Sequence, residues 1–83
     1  MVKIPVVLKS MTDIKHLVML ATQCDWEVDL LLGRYVVDAK SMLGVLSLPQ
    51  FEQAELFLHC EKENVEAAHF YEKLEEYGLY RKQ

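Results

Sequence analysis

The sequence has 83 residues, of which 52% are hydrophobic and 27% are charged, and its formal net charge is −4. A chain of this length supports one domain, residues 1–83, with a single small core, because folding buries only about 60–65% of its surface. The composition is typical of a folded globular protein and not of a disordered one. Thirteen acidic against nine basic residues argue against a nucleic-acid partner, because phosphate binding requires a basic surface.

The amino-terminal segment and the cysteines indicate a cytoplasmic protein without a membrane span. No apolar run approaches the roughly 20 residues of a membrane-spanning helix, and residues 1–5 lack the long apolar stretch of a secretion signal. Cys24 and Cys60 have neither metal-ligand spacing nor the number needed for a disulfide framework. We expect two reduced thiols in the core, no metal site and no cofactor.

The chain begins with a predicted strand and a predicted helix. Residues 4–8 favour a strand, and Pro5 places it at a sheet edge, where a missing N–H is tolerated. Ser10 and Asp13 have the spacing of a capping box, which predicts that a helix begins there. Apolar residues then follow at helical spacing, namely Ile14, Leu17, Val18, Ala21 and Cys24.

The middle of the chain predicts a β-hairpin. Residues 26–32 alternate between apolar and polar, which is typical of a strand with one buried face. Gly33 and Arg34 form a two-residue turn, and glycine at its first position fits type II′, which requires a positive φ there. Residues 35–37 then return as the third strand.

The second half of the chain completes an α+β fold. Asp38 and Pro49 bracket a short second helix, and residues 54–60 alternate as a fourth strand. A third helix covers residues 64–77 and is closed by Gly78 in the left-handed conformation. The order β-α-β-β-α-β-α predicts an open-faced β-sandwich, a four-stranded antiparallel sheet with three helices on one face.

The short second helix has more apolar residues than one contact with a sheet requires. At 100° per residue its apolar arc spans roughly 220°, whereas packing on a sheet uses about 100°. The arc is formed by Met42, Leu43, Val45, Leu46 and Leu48. Either loop residues such as Phe51 fold over the surplus, or it forms a surface that binds another protein.

The outer face of the predicted sheet also carries apolar residues. If Leu30 and Leu32 point inward, Leu31 points outward and the hairpin register sets Val36 opposite it. By alternation, Val7 and Phe57 fall on the same face. These four residues either form the surface of a weak homodimer or are explained by cross-strand pairing alone.

The segment from Val36 to Leu46, with Lys40-Ser41 followed by an apolar helix, resembles the serine signature of HPr, the histidine-containing phosphocarrier of the bacterial sugar phosphotransferase system. The predicted element order and the chain length agree with that family's fold. The resemblance implies that Ser41 is a regulatory phosphorylation site and that Met42, Leu43 and Leu46 contact protein partners. Those partners would be phosphotransferase-system components, HPr kinase or a transcriptional regulator.

A phosphate on Ser41 would change how the second helix binds other proteins. It would add close to two negative charges beside the apolar surface, without any need to refold the chain. The alternative is that Ser41 only caps the helix, as serine often does.

The phosphocarrier histidine of the family is missing. In the family it lies at the start of the first helix, in a His-x-Arg-Pro sequence. Counting back from Ser41 without gaps places Ser10 at the histidine, Thr12 at the arginine and Asp13 at the proline. A phosphoserine ester is stable and transfers its phosphoryl group poorly, whereas a phosphoramidate on imidazole passes it on readily. We therefore expect a non-catalytic regulatory or docking protein without enzymatic activity.

Two other functions stay open at this point. The protein could be a working phosphocarrier with an unusual acceptor, although His16 lies within the predicted first helix and not at its start. His59 falls on the outer sheet face and His69 on the polar side of the third helix. Alternatively, the chain could be a small α+β module that binds a ligand and has no relation to the family.

Overall fold

The chain forms four strands and three helices in the predicted order, in a computed structural model that describes residues 2–48, 53–61 and 64–81. The elements are β1 (Val2–Val7), α1 (Met11–Thr22), β2 (Val28–Leu32), β3 (Tyr35–Asp38), α2 (Met42–Leu46), β4 (Gln53–Leu58) and α3 (Val65–Glu76). The four strands form one antiparallel sheet in the order β1-β4-β2-β3. The predicted α+β open-faced sandwich is therefore confirmed.

The core lies between the sheet and the helices. Alternate residues of the strands point into it, and each helix contributes its apolar side. The largest fully buried side chains are Val6, Leu17, Val28, Leu30, Val45, Leu56, Leu58, Leu74 and Leu79. Because every helix and three of the four strands supply buried residues, the positions of the helix ends are fixed by this one core.

Strand β1 lies at an edge of the sheet, as Pro5 predicted. Residues 79–81 run along the free side of this strand, where the N–H of Val7 donates to the carbonyl of Leu79 at 2.8 Å. The N–H of Arg81 donates to the carbonyl of Pro5 at 3.0 Å. The side of Pro5 that lacks an N–H thus faces the last described residues and not β4.

Several element ends differ from the prediction by one or two residues. Helix α1 ends at Thr22, so Cys24 lies in the following turn, where its N–H bonds to the carbonyl of Ala21 at 3.1 Å. Trp26 precedes β2 and packs edge-on against Phe70 instead of joining the strand. Strand β4 ends at Leu58. In each case a residue just outside the helix or strand also packs on the core, namely Cys24, Trp26 or Cys60, so the apolar spacing extends beyond the element itself.

The predicted turn and helix ends are confirmed at the glycines. Gly33 has a φ of +59° and Arg34 does not have a positive φ, which fits type II′ and excludes type I′. Gly78 has a φ of +73° and follows the end of α3, as a left-handed cap requires. Asn64 caps the start of α3 through a 2.8 Å bond from the N–H of Glu66.

The outer face of the sheet does not form one apolar patch. Leu31 and Val36 are cross-strand neighbours, as predicted. Phe57 instead lies between Lys3 and Asp29 in the ladder, and the ammonium of Lys3 is 5.8 Å from the centre of its ring. The ammonium of Lys3 also lies 3.6 Å from a carboxylate oxygen of Glu55, which stands opposite Leu31. Cross-strand pairing explains Leu31 and Val36, and charged side chains separate them from Phe57.

Candidate functional site

Ser41 lies at the start of α2 and caps it. Its backbone is extended, with φ −103° and ψ 109°, and its hydroxyl accepts a 3.0 Å hydrogen bond from the N–H of Gly44. The side chain is half-buried against this turn. A Cβ atom at position 44 would lie 3.2 Å from the Ser41 hydroxyl oxygen, so glycine gives the cap the room it needs.

The turn before Ser41 is held at two points. The carboxylate of Asp38 accepts a 2.9 Å bond from the backbone N–H of Lys40. The ammonium of Lys40 donates a 2.8 Å bond to the carbonyl of Cys24, just beyond the end of α1. Lys40 therefore ties the start of α2 to the α1–β2 connection. This contact spans 16 positions in the sequence, and nothing in the local pattern of the sequence indicates it.

Helix α2 buries one side and exposes the other. Val45 is buried, and Met42 and Leu48 pack partly against the core. Leu43 is 83% exposed and Leu46 is 45% exposed. Of the three predicted contact residues, Leu43 and Leu46 thus lie at the surface and Met42 lies partly beneath it. We call Leu43 and Leu46, with the exposed part of Met42, the α2 patch.

Two residues that the sequence analysis named beside α2, Pro49 as its end and Phe51 as a cover for its apolar surface, lie in a segment that the structure does not describe. Pro49 and Phe51 both fall within residues 49–52. The alternative that Phe51 covers the surplus apolar surface therefore stays a prediction. The exposure of Leu43 nevertheless shows that a full leucine side chain of α2 meets solvent.

Helix α1 contributes exposed apolar side chains that the sequence analysis missed. Met11 is 51% exposed and Met19 is 38% exposed, and both share the outward side of the helix with Lys15. A helical projection would have found them, because residues 11, 15 and 19 recur every four positions.

Ser10 lies at the start of α1, and the sequence resemblance aligned it with the phosphocarrier histidine of HPr. Its hydroxyl accepts a 3.2 Å bond from the N–H of Asp13. The carboxylate of Asp13 accepts a 2.9 Å bond from the N–H of Lys9, one residue earlier than the predicted capping box requires. The start of α1 thus holds a hydroxyl and a carboxylate, and the carboxylate repels a phosphate.

The three histidines lie away from the start of α1. His16 is the sixth residue of the helix, and its ring packs on Tyr77 with 4.5 Å between the ring centres. The Nε2 atom of His59 lies 2.7 Å from a carboxylate oxygen of Asp29. His69 is exposed on α3. Each histidine is placed as the sequence predicted, and the packing of His16 on Tyr77 was not foreseen.

The two cysteines are free thiols that pack partly against the core. Burial raises the pKa of the Cys24 thiol from 9.0 to about 11, although the nearby charge of Lys40 opposes this shift. Burial also raises the pKa of Cys60. Both thiols are therefore poor nucleophiles near neutral pH, because the reactive form of cysteine is the thiolate.

The described residues contain no arrangement suited to a metal ion or a membrane span. In residues 2–48, 53–61 and 64–81 no three His, Cys, Asp or Glu side chains are grouped as metal ligands. Helices α1 and α3 have 12 residues each, and no helix in this part of the chain has the length and apolar content to cross a membrane.

The comparisons with known proteins found a similar structure but no similar sequence. No protein-family model matches the chain, and no curated protein matches its sequence. The crystal structure of HPr-C-His from Thermoanaerobacter tengcongensis, in contrast, superposes with a TM-score of 0.70 at 16% sequence identity. The match covers 94% of this chain and 91% of that one. This chain has an HPr-like fold. The likeness therefore extends far beyond the Lys40-Ser41 segment, and at this identity it establishes the fold alone.

Proposed function

We propose that this HPr-like protein is a non-catalytic docking protein of the cytoplasm, which binds phosphotransferase-related proteins through the α2 patch and is regulated by phosphorylation of Ser41. The observation that carries the proposal is the exposure of Leu43 and Leu46 directly after a serine that begins their helix. Burying a leucine side chain against a partner contributes about 1.5–3 kcal/mol. The HPr-like fold and the Lys40-Ser41 sequence support this class of partner.

Phosphorylation of Ser41 would act on the patch through charge. The hydroxyl of Ser41 accepts a bond from the N–H of Gly44, and phosphate oxygens are strong acceptors that can take over this role. The start of α2 would therefore stay intact while close to two negative charges appear beside Leu43. A partner with an acidic rim would be repelled, and a partner with an arginine there would gain a bond.

The start of α1 supports the non-carrier part of the proposal. Relay of a phosphoryl group needs an acceptor whose phosphorylated form is reactive, and the phosphate ester that Ser10 would form is stable. The carboxylate of Asp13 stands within the same turn. His16 is held against Tyr77 on the body of the helix.

A ligand-binding function is the second candidate, because a cavity lies between the end of α1 and α3. It measures about 140 Å³ and is lined by Leu20, Cys24, Glu66, His69, Phe70 and Lys73. Ligand pockets usually measure about 300–1,000 Å³. This cavity is smaller than that range, whereas a more open groove of about 580 Å³ lies beside the end of β1 and is lined by Val7, Lys9, Gln53, Glu75, Gly78, Tyr80 and Arg81.

The proposed function is tested by the rate at which HPr kinase phosphorylates the protein with ATP. Leu43→Asp places a charge in the α2 patch and should lower kcat/KM about tenfold or more, because a central apolar contact is lost. Val65→Asp is the matched control, since Val65 is 81% exposed on α3 and an acidic residue suits a helix start. Equal rates for the two variants would contradict docking through α2, and no phosphorylation of the wild type would contradict regulation at Ser41.

A further inference from the structure

The two edge strands of the sheet differ in whether their outer side forms backbone hydrogen bonds. Strand β1 carries Pro5, and residues 79–81 bond along its free side. The opposite edge is β3, and no segment among residues 2–48, 53–61 and 64–81 pairs with its free side. An open edge strand offers unpaired N–H and C=O groups to a strand from another molecule.

The outward backbone groups in the middle of β3 belong to Val36. Bonded and non-bonded pairs alternate along an antiparallel ladder. The N–H of Ala39 donates to the carbonyl of Val28 at 2.8 Å, so residues 35 and 37 also bond to β2 and Val36 faces away from it. The side chain of Val36 is 59% exposed. The centre of this edge therefore presents a free donor, a free acceptor and an apolar side chain.

The two ends of β3 carry opposite charges. Arg34 immediately precedes the strand, and Asp38 ends it. Asp38 stands opposite Asp29 in the ladder, and the Asp29 carboxylate is already bonded to His59. Within the described part of the chain no cationic side chain lies within 4.0 Å of the Asp38 carboxylate, and Arg34 has no acidic partner.

These charges match a second copy of the same strand. In an antiparallel pair centred on Val36, residue 34 of one copy stands opposite residue 38 of the other at both ends. Both Arg34 and Asp38 then gain a partner, and the repulsion between Asp38 and Asp29 is offset. In a symmetric dimer the two-fold axis repeats each contact, so one Arg34–Asp38 pair implies the second. A different peptide would match β3 only if it carried an acidic and a basic residue at the same spacing.

We propose that two copies of this chain associate through β3, in antiparallel register about Val36, and form one continuous eight-stranded sheet. Two hydrogen bonds join the Val36 backbones, and the Val36 side chains meet beside Leu31 of each copy. Two Arg34–Asp38 pairs flank them. The strand has only four residues, so the interface falls below the roughly 1,200 Å² of a stable complex. The dimer is therefore weak and depends on concentration and salt.

Sedimentation equilibrium over a wide concentration range tests the proposal on four samples. The wild type should reach a reversible dimer and no larger species. Arg34→Glu and Asp38→Lys should each stay monomeric where the wild type is half dimeric, since each places like charges opposite one another. An equimolar mixture of the two variants should dimerise again, because the mixed pair restores opposite charges at both ends.

A second measurement does not depend on Asp38, whose carboxylate also bonds to the N–H of Lys40. Amide exchange at Val36 should be fast in dilute wild type and slow severalfold as the dimer forms. Val36→Lys should abolish dimerisation, whereas Leu43→Lys and Phe57→Lys should leave it intact.

Three results would overturn the assignment of β3. These are a wild type that stays monomeric at millimolar concentration, variants that do not rescue each other when mixed, and a dimer that Phe57→Lys or Leu43→Lys breaks while Val36→Lys leaves it intact.

Discussion

Ser10 and Ser41 begin two helices in the same way, because each hydroxyl accepts a bond from the backbone N–H three residues later, at 3.2 Å and 3.0 Å. Their surroundings differ. Ser10 is exposed and shares its turn with the carboxylate of Asp13, whereas Ser41 is half-buried and is followed by the exposed Leu43. The capping bond is therefore a property of both helices, and any difference in function must come from the neighbouring side chains.

The largest difference between the two serines is expected in phosphorylation by HPr kinase with ATP. Ser41→Ala should abolish incorporation of phosphate, and Ser10→Ala should leave it unchanged, as measured by intact mass spectrometry. Ser47→Ala is a further control, because Ser47 lies at the other end of α2. Phosphate on Ser10 or Ser47 in the wild type would remove the distinction between the two helix starts.

Lys40, next to Ser41, contacts the carbonyl of Cys24 just beyond the end of α1. The pKa of the Cys24 thiol can be used to monitor that contact, because the charge of Lys40 affects it. The thiol pKa of about 11, against 9.0 without burial, lowers the thiolate fraction at pH 8 about a hundredfold. In a Cys60→Ser background, alkylation by iodoacetamide should rise about tenfold per pH unit until the pH approaches that pKa. A half-maximal rate below pH 9 would show that the thiol is not buried.

Removing the cap from α1 should affect stability and nothing else. Ser10→Ala should lower the free energy of unfolding by about 1 kcal/mol, because the N–H of Asp13 loses its acceptor. Urea denaturation followed by the fluorescence of Trp26 measures this change. Ser10→Asn keeps a capping oxygen and should stay close to the wild type. Equal stability of the alanine variant and the wild type would show that the hydroxyl does not stabilise α1.

The smallest effect is expected at the contact between Lys40 and Cys24. Lys40→Met removes the 2.8 Å bond to the Cys24 carbonyl and should cost about 0.5–1 kcal/mol. The same variant should also slow alkylation of Cys24 at a given pH, because the charge of Lys40 lowers the pKa of that thiol. Lys15→Met is the control, because Lys15 is exposed on α1 and should leave both measurements unchanged. If the two variants behave alike, Lys40 does not hold this connection.

The order of the elements could be predicted because its signals are local. The capping serines, the Gly33 turn and the alternation of the strands each depend on a few consecutive residues, and each is confirmed. The end of α1 and the start of β2 differ from the prediction, since Cys24 and Trp26 pack on the core from outside these elements. Apolar spacing alone does not distinguish a residue inside a helix or strand from one that packs on the core just outside it.

The parts that could not be predicted depend on residues far apart in the sequence. The strand order β1-β4-β2-β3 places β3 at an open edge of the sheet. No local sequence pattern predicts this order. The bond between Lys40 and Cys24 joins residues 16 positions apart. The exposure of Leu43 depends on how α2 is turned toward the core, with Val45 buried, and helical spacing alone does not fix that orientation.

The most direct test of the account is whether the protein accepts a phosphoryl group from phosphoenolpyruvate through the first enzyme of the phosphotransferase system. A phosphocarrier HPr is the positive control in the same assay. The account predicts no acid-labile phosphate on this protein, because Ser10 begins α1 and the three histidines lie elsewhere. An acid-labile phosphohistidine at His16, His59 or His69 would contradict it.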